Sequence, residues 1–176
     1  EHEESNTFFL KASEMYEKTE TGIKEHYYRN IQFNLYTFFQ KKEYFDKALF
    51  LTKQVLTEAE NEKDIDKSIE YHIEMIRLYR YTGVYDSAYH YVQKSNTLIK
   101  ESKKYINSMY HVNMLNSAII TSLRLNKNDE SNAFISELTS IYKQRGLFNS
   151  KYKLEIDGFK AALYENQNET NKAYHI

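Results

Sequence analysis

The chain has 176 residues, 15% of them aromatic and 41% apolar, enough for one compact domain or a short repeat array. Its formal net charge is −1 and its pI near 6.7, so no global basic field exists to hold nucleic acid or an anionic bilayer. The lack of cysteine excludes disulfides, thiolate metal sites and cysteine nucleophiles, and no apolar run approaches the roughly 18 residues of a membrane span.

Proline is also absent, so no helix is broken by a missing backbone donor. Apolar residues recur at helical spacing, as in Ile69, Ile73, Ile76 and Tyr79, and again in Ala88, Val92, Ser95 and Ile99. No strand-like alternation is sustained, which predicts an all-α chain. In chain order the pattern predicts a leading helix at 4–20, then pairs 23–41/44–61, 64–82/85–102, 105–126/129–145 and 149–166/170–176. The first residue is Glu1 and the closing "TNKAYHI" reads as a helix just begun, so both ends are expected to be cut from something longer.

The turn "GVYDSA", Gly83 to Ala88, serves as a ruler for repeats. Forty residues earlier stands "EYFDKA", with Phe45 in place of Tyr85 and Ala48 in place of Ala88. "NDESNA" follows, ending at Ala133, and "NETNKA", ending at Ala173. Each unit is then helix, tight turn, helix. Gly83 permits the reversal, Tyr85 wedges into the joint, and Ala88 lets two backbones approach.

This pattern, clearest in "MIRLYRYTGVYDSAYHYVQKS", resembles the tetratricopeptide repeat. The resemblance implies one domain, a right-handed superhelical array of antiparallel helix pairs, with units near 23–63, 64–104, 105–148 and 149–176. Tyr36, Ile76 and Thr121 depart from the small residue expected in the first helix, and the closing proline is missing. The units are longer than is usual, as in bacterial peptide-pheromone receptors and the sensor arms of membrane-bound regulators.

No constellation of nucleophile and base is visible, no HExxH or G-x-S-x-G motif occurs, and no glycine-rich phosphate loop exists. The reading is therefore non-catalytic, without cofactor or metal. His26, Asp66 and His111 fall at equivalent points of successive units, but helices about 10 Å apart do not converge three ligands on one ion. The many tyrosines read as packing residues rather than base-stacking platforms, since no basic surface accompanies them.

The resemblance further implies that partners lie along the first helix of each unit. Stepping i, i+4, i+7, i+11 gives His26, Asn30, Phe33 and Thr37, then Asp66, Glu70, Ile73 and Arg77 with Arg80 near the edge. The later units give His111, Leu115, Ala118 and Ser122, then Lys151, Glu155, Gly158 and Ala162. The expected binding residues are Asn30, Phe33, Thr37, Glu70, Arg77, Arg80, His111 and Ser122. Arg77 and Arg80 would take an acidic group or free carboxylate; an internal pair with Glu70 or Glu74 is the alternative for Arg77. The function expected is capture of a protein or peptide by the sensor or scaffold part of a bacterial regulator, in cytoplasm or periplasm. A self-associating assembly scaffold, dimerising through the array ends, and an accessory domain of a pheromone-receptor-type phosphatase are the alternatives.

Overall fold

With no proline and few glycines, little in the chain competes with helix, and the computed structural model is helical in every regular element it describes. Described are residues 41–147 and 149–176, and before them Thr7, Phe8, Leu10, Lys11, Ala12, Glu14, Met15, Asn30, Phe33 and Asn34. The described residues of the expected leading helix are helical, and the first half of the first expected pair is represented only by Asn30, Phe33, Asn34 and Lys41. The helices that follow are α1 (Lys42–Glu62), α2 (Ile65–Tyr81), α3 (Tyr85–Ser102), α4 (Met109–Arg124), α5 (Asn128–Gln144), α6 (Ser150–Asn166) and α7 (Thr170–Ala173).

Five turns share one geometry, those after α1 (Asp64 on Ala59, Lys63 on Glu60) and α5 (Leu147 on Tyr142, Gly146 on Lys143) and three more. After α2 the Val84 N–H donates to the Tyr79 carbonyl at 2.9 Å and the Gly83 N–H to the Arg80 carbonyl at 3.1 Å. After α4, Lys127 and Asn126 repeat this on Ser122 and Leu123; after α6, Glu169 and Asn168 repeat it on Tyr164 and Glu165. The residue that must turn left-handed is Gly83 (φ 76°), then Asn126 (φ 54°), then Asn168 (φ 60°). This is the Schellman closure, which demands a residue at ease in the left-handed region, and asparagine tolerates it after glycine. The glycine of the sequence ruler thus has two asparagine counterparts, a lysine (Lys63, φ 55°) and a second glycine (Gly146, φ 65°).

The chain divides into two compact units, 1–78 and 79–176, with the division inside α2. In the first, Phe33, Phe45, Ala48 and Leu78 form a buried cluster with Leu49 against it. Ala48 lies near the start of α1 and shares this cluster with Leu78, while Glu60 near the end of α1 meets His72 at 3.2 Å. The two helices therefore run antiparallel.

In the second unit α3 packs on α4, α4 on α5, α5 on α6 and α6 on α7, with a further contact between α4 and α6. α4 buries Val112, Met114, Leu115, Ala118 and Ile119, and α5 buries Ile135, Leu138 and Ile141. Each large aliphatic side chain so buried contributes about 1.5–3 kcal/mol. Tyr142 extends the joint to α6: its hydroxyl donates to Glu155 Oε2 at 3.1 Å and its ring lies 4.5 Å from that of Tyr152.

Two expectations are corrected. The helix anticipated from 105 begins at Met109, because Lys103 (φ 51°) and Asn107 (φ 62°) turn left-handed and Ser108 Oγ caps the new helix from the His111 N–H at 3.2 Å. Tyr105 is buried there, its ring edge-on to Tyr110. Ala133, expected at a helix crossing, is exposed, and the buried small residue is Ser131. Ala48 and Ala88 are fully buried as expected.

Candidate functional site

Within the first unit, Phe33 and Arg77 come together. The guanidinium carbon lies 3.9 Å above the Phe33 ring, and Nε donates to Glu74 Oε2 at 2.8 Å. Arg77 is therefore occupied by its own helix and by an aromatic face. Phe33 is buried rather than open, and Asn30 and Glu70 are half-buried. Thr37 lies outside the described residues.

In the second unit, His111 and Ser122 are buried instead of lining a groove. The Asn107 N–H donates to His111 Nδ1 at 3.1 Å, so that nitrogen carries a lone pair and Nε2 carries the proton. Nε2 approaches Glu137 Oε1 at 3.3 Å, a long and imperfectly aligned contact. The Glu137 carboxyl is nonetheless held below its ordinary value, chiefly by His111, against the opposing effect of burial. Ser131 donates to Ser122 at 2.8 Å inside the α4–α5 joint.

The reason for both misplacements is a phase error. His111, Leu115, Ala118 and Ser122 lie on the face of α4 that meets its neighbours. Its more open line is Asn113, Ser117, Ile120 and Arg124, two residues further on and rotated by about 200°. On α6 the expected line stays accessible: Lys151 and Gly158 are exposed, and a Cβ added at Gly158 would meet nothing within 4 Å.

That open line of α4 ends in a cleft of about 350 Å³ against α6. Ile120, Leu123, Phe159 and Ala162 supply apolar walls; Arg124, Glu165 and Asn166 supply polar ones. Asn166 Nδ2 donates to the Leu123 carbonyl at 2.8 Å, tying the two helix ends together 43 residues apart. Of these residues the sequence pattern had singled out only Ala162; the rest became visible once the phase of α4 was known.

Arg80, in the last turn of α2, is half-buried, and its Nε has no acceptor. Burial lowers its pKa from the ordinary arginine value, Tyr85 and Tyr81 act oppositely, and the like charge of Arg124 adds to the lowering. No carboxylate among the described residues pairs with either arginine within 4 Å. No group of three metal-ligating side chains occurs among the described residues, and no helix of theirs is long and apolar enough to cross a membrane.

No family model, curated protein or solved structure matches this chain.

Proposed function

We propose that the chain is a non-catalytic, peptide- or protein-binding array of tetratricopeptide-like units. In this reading the helix pairs wind as a right-handed superhelix of about 3.5–4 repeats, and the array is the sensor or scaffold part of a bacterial regulator. The parallel course of α4 and α6, whose ends are joined from Leu123 to Asn166, supports the repeat. Tyr89 of α3 reaches Glu130 of α5 at a nearly equal separation of 41 residues.

The observation that carries the binding reading is the cleft between α4 and α6, with apolar walls and Arg124 in its lining. Its size falls at the small end of ligand pockets, suited to one or two anchoring side chains of a longer partner. Selection of random peptides on the immobilised 176-residue chain, followed by titration of the winners, tests this reading. Saturable binders that Phe159→Ala weakens support it; repeated selection without any binder removes it.

Self-association is a second reading, favoured by Leu154, which stands 74% exposed on α6. Sedimentation of wild type and Leu154→Lys decides it: a dimer lost in the variant supports assembly, and a monomer throughout opposes it.

A further inference from the structure

One face of α5 carries hydroxyls, an amide and a cation at helical steps. Asn132, Ser136, Thr139, Ser140 and Lys143 follow one another at i, i+4, i+7, i+8 and i+11, and with Lys160 of α6 they wall a second cleft of about 350 Å³. Ile135, buried in the core, is the apolar member of this lining. No carboxylate of the described residues stands in it, and it shares no residue with the cleft between α4 and α6.

Lys160 sets this cleft apart from an ordinary solvated helix face. Its side chain is half-buried, and no acid of the described residues lies within 4 Å of it. The acid within helical reach on its own helix, Asp157, is taken by Lys153 at 2.8 Å. An ammonium shielded from water without a countercharge gains from an anion brought to it. The hydroxyls differ in what they can give. Thr139 donates to the Ile135 carbonyl at 2.7 Å, whereas Ser140 Oγ accepts from Gln144 Nε2 at 3.2 Å and keeps its own proton. Ser136 and Asn132 are exposed, with their donors towards whatever enters.

We propose that this cleft binds a small phosphorylated polyol of the sugar phosphate class. Lys160 and Lys143 hold the phosphate, and Ser136, Ser140 and Asn132 meet the hydroxyls of the group that carries it. A phosphate monoester has a charge of about −1.5 to −2 at neutral pH, which two ammoniums match and a single carboxylate does not. The lining from Asn132 to Lys143 runs about 16 Å along α5, more than a phosphate alone fills. Its remaining groups are hydrogen-bonding ones without an aromatic face, which suits a polyol and not a stacked base. The site is independent of the peptide-binding reading.

The test is a titration of the 176-residue chain at low ionic strength with glucose 6-phosphate, inorganic phosphate and glucose, followed by amide chemical shifts. Millimolar glucose 6-phosphate should move the signals of Ser136, Thr139 and Ser140 saturably, inorganic phosphate should move the same signals more weakly, and glucose should move none. Lys160→Gln should weaken glucose 6-phosphate about tenfold, and Lys160→Arg should restore most of the loss. Lys151→Gln, which removes an exposed lysine of the same helix outside the cleft, should change nothing. Thermal melts of all three variants should match wild type. An equal loss in Lys151→Gln would reduce the site to a diffuse ion atmosphere and overturn it. Inorganic phosphate binding as tightly as glucose 6-phosphate would overturn the polyol part, and no saturable shift with either would overturn the whole.

Discussion

The hydroxyl of Ser131 donates to that of Ser122 at 2.8 Å, and Ser122 donates onward to the Ile119 carbonyl at 3.1 Å. The Lys127 carbonyl, also 2.8 Å from Ser131 Oγ, offers the same proton an alternative acceptor. Both serines are fully buried, so the joint between α4 and α5 closes on a satisfied polar contact. Ser131 sits three residues into α5, as Ala88 sits three residues into α3. Serine and alanine share the one property that position needs, which is small size.

That equivalence predicts opposite responses at two neighbouring sites. Ala88→Leu should cost about 1–3 kcal/mol by overpacking, and Ser131→Leu at least as much because Ser122 also loses its partner. Ala133→Leu, on the exposed side of α5, should stay within about 0.5 kcal/mol of wild type. Urea midpoints measure all three; a large loss at Ala133 with none at Ser131 would restore the alanine-based register.

The left-handed turn residues give a second test. Asn126→Gly should be neutral or mildly stabilising, whereas Asn126→Ala should cost about 1 kcal/mol, because an unassisted Cβ is strained at φ 54°. Gly83→Ala should cost about 1–2 kcal/mol for the same reason, since a Cβ there would meet no neighbour and strain is the only penalty. Thermal melts that do not separate alanine from glycine at position 126 would argue against this turn.

Arg77 and Arg80 should part company in stability measurements. Arg77→Ala removes a cation stacked at 3.9 Å on Phe33 and a partly exposed ion pair, together worth about 0.5–1.5 kcal/mol. Arg80→Gln removes a half-buried charge that has no acid partner among the described residues, and should leave the urea midpoint unchanged or raised. A loss at Arg80 equal to that at Arg77 would mean Arg80 holds the fold together.

Glu137 predicts a pH dependence. Its folded pKa lies below the ordinary value of 4.5, so its stabilisation is complete above that pH and is lost as pH falls through the folded value. The stability gap between wild type and Glu137→Gln should therefore be largest near neutrality and shrink as the pH falls below 4.5. A gap independent of pH would detach Glu137 from His111.

Helix positions and most turn positions were legible in the sequence because each depends on neighbours a few residues away. The 3.6-residue period marks helices, and residues that tolerate the left-handed region mark where they end. The start of α4 escaped, since Lys103 and Asn107 turn left-handed in a stretch whose composition permits helix. Which side of α4 faces inward was not local either. It is decided by α3, α5 and α6 together, and a two-residue phase error exchanges the buried line of His111 and Ser122 for the open line ending at Arg124. The same holds for charge. Arg77 and Arg80 look alike in sequence, but Phe33 and Glu74 hold one, while the Nε of the other has no acceptor. Periodicity determined that this chain is a run of paired helices; only packing, which compares distant residues by size and charge, decided which of their faces remains exposed.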